Sequence, residues 1–300
     1  MARLIRADGL VDFDAANAEM HALAERRLAG VAEDTLILLE HPPVYTAGRR
    51  WRPDHIVWTE ERIAAAGAEL RFIDRGGPLT FHGPGQLVGY PVLDLGARPD
   101  AMRFVRDLEE VVIRAAADVG VELHRSEVQT GVWSGPSKVC AIGVRLMRMR
   151  VSLHGFALNC STDLSWYDAI VPCGLAGEGV ASLSQLAGRE ISVGEMAPLV
   201  ARRFEDVFDV RLEIEQARWP AQGGPELCPG AWRDVGAVAA AGPPVSGPVV
   251  LDVVVWPRRG GPEVPAERGE HLGPPSGLRL PVRRLQYYGA GLPGFALAAR

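Results

Sequence analysis

Lysine is almost missing from this chain. Of its 32 Lys and Arg residues only Lys138 is a lysine, and every other one is arginine. A guanidinium keeps its proton at any biological pH, so the arginines are excluded as bases. An amine can shed a proton and regain one when its surroundings allow. Long apolar runs are also absent. No stretch of about 18 uncharged apolar residues exists, which excludes a membrane-spanning helix. The start, "MARLIRADGLVDFD", meets acidic residues at once, so no secretion signal is expected. The four cysteines, Cys140, Cys160, Cys173 and Cys228, form no C-x-x-C pair, which removes the usual zinc and thioredoxin signatures. Reduced thiols in the cytoplasm are the simplest reading. A net charge of −5 argues against nucleic acid as a partner. Neither a Walker loop nor G-x-G-x-x-G is present.

What is there alternates between helical and extended patterns. Helices are expected over 12–30, 59–67, 98–120 and 193–208, the last with Pro198 in its first turn. In the clearest of them Met102, Val105, Leu108, Val112 and Ala116 fall on one side. Strands are expected at 35–40, 69–75, 87–95, 121–124, 130–134, 138–145, 151–159 and 210–215, with an extended piece in 41–50 and a glycine-dense loop at 75–86. Strands often follow one another without a helix between, which predicts an α+β fold whose mixed, largely antiparallel sheet is flanked by helices. After residue 215 the composition changes: residues 216–300 hold 14 glycines and 13 prolines. That predicts a catalytic domain over 1–215 and a small β-rich or irregular extension over 216–300, with strand patterns at 248–257 and 279–288.

Several residues could carry chemistry. The 75–86 loop gathers Arg75, Thr80, His82 and Gln86 among four glycines. Glycines admit a ligand close to the backbone, although a lone histidine is more often structural than catalytic. Cys173 stands in a turn between Pro172 and Gly174, where a thiol is reachable; a cation or helix N-terminus nearby would make it a nucleophile. Cys140 competes for that role, because in a regular strand Lys138 and Cys140 share a face. The residues alone leave both open.

Five blocks, "EHPPVYTAGR" (40–49), "RGGPLTFHGPGQLVGYPVLDL" (75–95), "KVCAIGVR" (138–145), "LHGFALN" (153–159) and "IVPCG" (170–174), resemble the octanoyltransferases of lipoate synthesis, also called lipoate-protein ligase B. Their order and approximate spacing match too, over roughly residues 10–215, and the R-G-G-x-x-T-[FYW]-H-G-P-G-Q string is long and specific. The resemblance implies the fold of biotin and lipoate protein ligases. It also implies an acyltransferase without a cofactor, first in endogenous protein lipoylation. The donor would be octanoyl-acyl carrier protein. The acceptors would be lysines on the lipoyl domains of 2-oxoacid dehydrogenase complexes and on the glycine cleavage H protein, with no nucleic acid or membrane involved. By motif match Cys173 takes the place of the acyl-thioester nucleophile, and Lys138 that of the lysine that lowers the thiol's pKa and shuttles protons. The substrate-binding segments fall on Arg75, Gly76, Gly77, Pro78, then Leu79, Thr80, Phe81, His82, on Ala141, Ile142, Gly143, and on Gly155, Phe156, Ala157.

Three rivals remain at this point. One is an ATP-dependent ligase on the same fold, which needs no cysteine. Another is a cysteine hydrolase pairing Cys173 with His82 or His154. The third is a non-catalytic acyl-binding protein, which would tolerate damage at Cys173 or Lys138. The basic stretches "GRRWR" (48–52) and "VRLMRMR" (144–150) either dock an acidic carrier protein or are solvated strand ends.

Overall fold

The computed structural model describes residues 1–171, 179–218 and 226–227. Cys173, Cys228 and the strand patterns at 248–257 and 279–288 lie outside the described residues, as does nearly all of the 216–300 extension. In chain order the elements are β1 (Ala2–Leu10), α1 (Phe13–Leu28), β2 (Thr35–Glu40), β3 (Val44–Ala47), α2 (Glu60–Ala65), β4 (Glu69–Phe72), β5 (Leu79–His82), β6 (Gln86–Val92) and α3 (Ala101–Ala117). They continue with β7 (His124–Arg125), β8 (Val132–Ser134), β9 (Ser137–Met147), β10 (Val151–Asn159), β11 (Gly179–Val180), α4 (Leu183–Ala187), α5 (Val193–Phe208), β12 (Leu212–Arg218) and β13 (Glu226–Leu227). The large sheet runs β13-β12-β1-β2-β6-β10-β9-β8-β7, with β11 beside β9. Among the described residues of this sheet only β1 with β2, β1 with β12, and β9 with β11 pair in parallel, so the sheet is mixed and mostly antiparallel, as the sequence predicts. A second sheet, β4-β3-β5, stands apart from it.

The apolar run "TLILLE" forms β2 because both of its faces are covered. Leu36 and Leu38 join the core under α3 and α5, while Ile37 and Leu39 join the core under α1. Helix α3 starts where the Asp100 carboxylate accepts the Arg103 N–H at 2.8 Å, and it buries Phe104, Val105, Leu108, Val111, Val112, Ala115 and Ala116. Tyr45, Phe81, Ile63 and Tyr167 make a third core around the small sheet. None of the helices among the described residues is long and apolar enough to cross a membrane.

Differences from the sequence reading have local causes. The glycine-rich loop contains a strand, β5, since Leu79–His82 pair with β3 from Ala47 to Val44. Residues 121–123 stay outside any strand, and the pairing is confined to β7. Pro198 sits in the second turn of α5, not the first, because Ser192 caps the helix by accepting the Glu195 N–H at 3.1 Å. Strand β1 and the short helix α4 carry no pattern strong enough to have been anticipated.

Strands β6 and β10 approach so closely that a Cβ built on Gly155 would stand 2.1 Å from the Gly89 carbonyl oxygen and 2.6 Å from Pro91 Cδ. Substituting Gly155→Ala is expected to destabilise the fold by about 3 kcal/mol or more, seen as a lowered urea midpoint. A midpoint equal to that of the native chain would show that the strands can part without strain.

Candidate active site

Between the two sheets lies a cavity enclosing about 820 Å³, open solvent at its mouth included. Its walls come from the 75–80 turn and β5, from β6, from β9 and from β10, with Phe13 entering from the start of α1. The expected substrate-binding segments converge on it: Arg75 to Thr80 and His82 from one sheet, Ala141 to Gly143 and Gly155 to Ala157 from the other. Phe81 is the exception and does not border the cavity. Its ring points the other way and stacks on Trp166, with centroids 5.2 Å apart.

A chain of buried hydrogen bonds fixes the polar part of this wall. The Arg75 guanidinium donates through Nη2 to Thr46 Oγ1 at 3.0 Å. The Thr46 hydroxyl stands 3.2 Å from His82 Nε2, and His82 Nδ1 stands 2.9 Å from Gln86 Oε1. Only one assignment satisfies every partner: Nδ1–H donates to the amide oxygen, and Nε2 accepts from the hydroxyl. The Gln86 amide then donates to Asn159 Oδ1 at 2.9 Å and to the Tyr167 hydroxyl at 3.1 Å. Burial first, then the neighbouring His41 and Arg75, pushes His82 well below the usual imidazole range, so it stays neutral. Both its nitrogens are occupied, which leaves it no lone pair to serve as a hydrolase base.

His154 also lines the cavity, with a left-handed φ of 59°. Its Nε2 lies 2.7 Å from Asp74 Oδ1, and Asp74 also pairs with Arg145. Burial, then His21 and the two arginines Arg75 and Arg145, keep it neutral. Behind Tyr90, His41 accepts the phenol's proton at 2.8 Å and donates to the Val11 carbonyl at 2.7 Å. Nothing in the sequence singles out Thr46, Tyr90, Asn159 or Tyr167. The only signal for them was their place inside the conspicuous blocks 40–49, 75–95 and 153–159, or near them.

Lys138 stands at the other end of the cavity wall. Its Nζ is 3.5 Å from Gln129 Oε1 and 4.6 Å from the centre of the Trp133 ring. On its other side β11 runs parallel, Val180 opposite Lys138, and the Ala181 N–H donates to the Lys138 carbonyl at 3.0 Å. The Asn159 amide holds the Ala181 carbonyl at 3.1 Å, so the polar chain reaches this end as well.

The expectation that Lys138 and Cys140 share a face fails. Register slips between β8 and β9, with Val132 opposite Cys140 but Trp133 opposite Lys138, so Val139 is an extra residue and the alternation breaks. Cys140 turns into the core under α3, fully buried, and burial pushes its thiol up, away from the thiolate. Cys160 is buried too, its thiol pushed up to about 12. Cys173 lies outside the described residues, between Val171, whose N–H donates to the His55 carbonyl at 2.9 Å, and Gly179, which pairs with Ser137. Of the two basic stretches, Arg145 is engaged by Asp74, Arg150 by Asp94 at 2.7 Å and Arg52 by Asp54 at 3.2 Å.

Burial lowers His41 from 6.5 to about 4. The unfolded chain therefore binds the proton first, and stability present above pH 6.5 is lost as pH falls toward 4. At about 1.36 kcal/mol per pH unit, His41 alone takes about 2 kcal/mol from the fold between pH 6.5 and pH 5. Urea unfolding of His41→Gln should show a pH 7 to pH 5 loss smaller by that amount, whereas an equal loss would mean that His41 is charged in the native state.

The chain and its architecture have known counterparts. The model for the lipoyl protein ligase A/B catalytic domain matches residues 13–205. An octanoyltransferase of Rubrobacter xylanophilus is 48% identical over 204 residues, covering 68% of this chain and 92% of that protein. Another, from Mycolicibacterium smegmatis, is 44% identical over 216 residues, covering 70% and 91%. Among solved structures, a lipoate-protein ligase A bound with ATP superposes with a TM-score of 0.58 at 17% identity, covering 72% of this chain and 88% of that one. The bi-partite lipoate protein ligase of Thermoplasma acidophilum gives 0.56 at 17%, covering 72% and 86%. At such identity the likeness is one of fold, and it is the lipoate-ligase fold that the sequence blocks imply. The chain therefore belongs to the lipoyl protein ligase A/B family, among its octanoyltransferases.

Proposed function

We propose that this chain is an acyltransferase that moves an octanoyl group from the thioester of acyl carrier protein, through a thioester on Cys173, to a lysine amine of a lipoyl domain. The carrying observation is the cavity itself. Its wall is largely apolar and small-residued, and the chain's sole lysine stands at its edge. Burying an octanoyl chain there contributes about 5 kcal/mol at about 0.8 kcal/mol per CH₂. The catalytic domain in this reading is residues 1–215, with 216–300 as an appendage, and the enzyme works in the cytoplasm. Its acceptors are the lipoyl domains of 2-oxoacid dehydrogenase complexes and the glycine cleavage H protein.

The steps balance without a cofactor. The Cys173 thiolate attacks the thioester carbon, the carrier's sulfur leaves and takes its proton from Lys138, which becomes neutral, and one C–S bond replaces another. The acceptor amine then attacks, the Cys173 sulfur leaves, and the amine's proton goes to neutral Lys138. Protonated Lys138 in turn favours the thiolate. The choice of Cys173 is supported by its P-C-G context and by the burial of Cys140 and Cys160 away from ionisation. Backbone N–H groups of the glycine-rich segments are the candidate oxyanion donors.

Intact-mass analysis tests the nucleophile. After incubation with octanoyl-acyl carrier protein, one octanoyl adduct is expected on the native chain and on Cys140→Ala, none on Cys173→Ala, and apo lipoyl domain should discharge it. An adduct that survives in Cys173→Ala and disappears in Cys140→Ala would falsify this assignment. Lys138→Arg keeps the charge but not the proton exchange, so its turnover should fall at least about 100-fold; near-native turnover rules out the shuttle.

A further inference from the structure

Lys138 does not stand at the cavity edge unsupported. Trp133 lies opposite it in register across β8 and β9 and is only 3% exposed. The indole Nε1 has no hydrogen-bond partner among the described residues, although a buried indole N–H ordinarily finds one. What the ring offers instead is its face, which carries the Lys138 Nζ 4.6 Å from its centre. An aromatic face attracts an ammonium through its quadrupole, and tryptophan does so best.

The turn beside the lysine's stem is fixed as well. Gly131 passes behind it with φ +124°, and a Cβ there would stand 3.4 Å from Lys138 Cε and 2.6 Å from the Cys140 carbonyl oxygen. That turn is itself fixed from below. The Gly131 N–H donates to Glu109 Oε1 at 3.0 Å. Glu109, on α3 and fully buried, is paired with Arg106 at 2.7 Å and with Arg125 at 3.4 Å. The bulge at Val139 completes the arrangement by turning Cys140 into the core while Lys138 faces the cavity.

We propose that Trp133 is a positioning residue for Lys138: its indole face, with the Gly131 turn behind the stem, fixes the ammonium where acyl transfer needs it. The consequence for the rate rests on the function proposed above; the placement of the ammonium does not.

The single lysine makes the placement directly measurable. Reductive methylation of the full chain with carbon-13 formaldehyde labels Lys138 and the N-terminal amine alone. The indole ring current should move the Lys138 methyl resonance upfield of free dimethyl-lysine. In Trp133→Leu that resonance should return to the free position, and Trp133→Phe should keep part of the shift. In parallel, kcat for octanoyl transfer should fall about ten-fold in Trp133→Leu and recover most of the loss in Trp133→Phe. KM for the octanoyl thioester should hardly move, which a general loosening of the site would not spare. An unshifted resonance in the native chain overturns the proposal whatever the activity. So does a folded Trp133→Leu with native kcat. Should Trp133→Leu not fold, the same pair of readouts on Trp133→Phe decides: both reduced upholds the proposal, both native overturns it. A native chain that shows the upfield shift but transfers no octanoyl group leaves the positioning standing and refutes the function instead.

Discussion

A neutral imidazole joins the two sheets. His82 sits on β5 of the small sheet, takes the Thr46 hydroxyl of β3 on one nitrogen, and gives its proton to Gln86 at the start of β6 on the other. From Gln86 the chain of donors passes to Asn159 at the end of β10 and on to the backbone beside Lys138. Each link is buried, so breaking one leaves a desolvated group without a partner. Gln86 is the junction of this network: its amide nitrogen lies within hydrogen-bond reach of Asn159 Oδ1, of the Tyr167 hydroxyl and, back on β5, of the Phe81 carbonyl at 3.1 Å.

The apolar contacts set the outline within which this network works. Strands β2, β6 and β10 are covered on both faces, which fixes their register by the alternation of side chains. Where β6 and β10 touch at Gly89 and Gly155, the absence of side chains lets the main chains meet and brings the ring of Phe156 across Gly89. The histidines around the cavity, His41, His82 and His154, are all held uncharged by the same burial that makes it suitable for a hydrocarbon.

How much of this was legible in the sequence depended on the length scale. Helix α3 announced itself because five apolar residues recur at helical spacing, and β2 because its run is short and unbroken. The clustering of Arg75, Ala141 and Gly155 was legible only through long, specific strings, since no local pattern brings residues so distant in sequence together. Strand β5 was hidden by the glycines and proline around it, which read as a loop although residues 79–82 pair fully with β3. The string alone places Phe81 with the cavity residues, whereas in the strand its ring lies against Trp166, away from the cavity. The relation of Lys138 to Cys140 departs from the pattern for a similar reason. A period-two rule holds only while the strand is regular, and one extra residue suspends it.

That extra residue has an implication for how such a chain can vary. The orientation of Lys138 is decided by the number of residues between Trp133 and Cys140, not by the chemistry of Val139 itself. The stretch joining β8 to β9 is thus fixed in length, and at Gly135, with φ 53°, in composition as well. Removing Val139 would restore a regular ladder and set the amine of Lys138 and the thiol of Cys140 on one face of the sheet, undoing with a single deletion the separation of cavity from core.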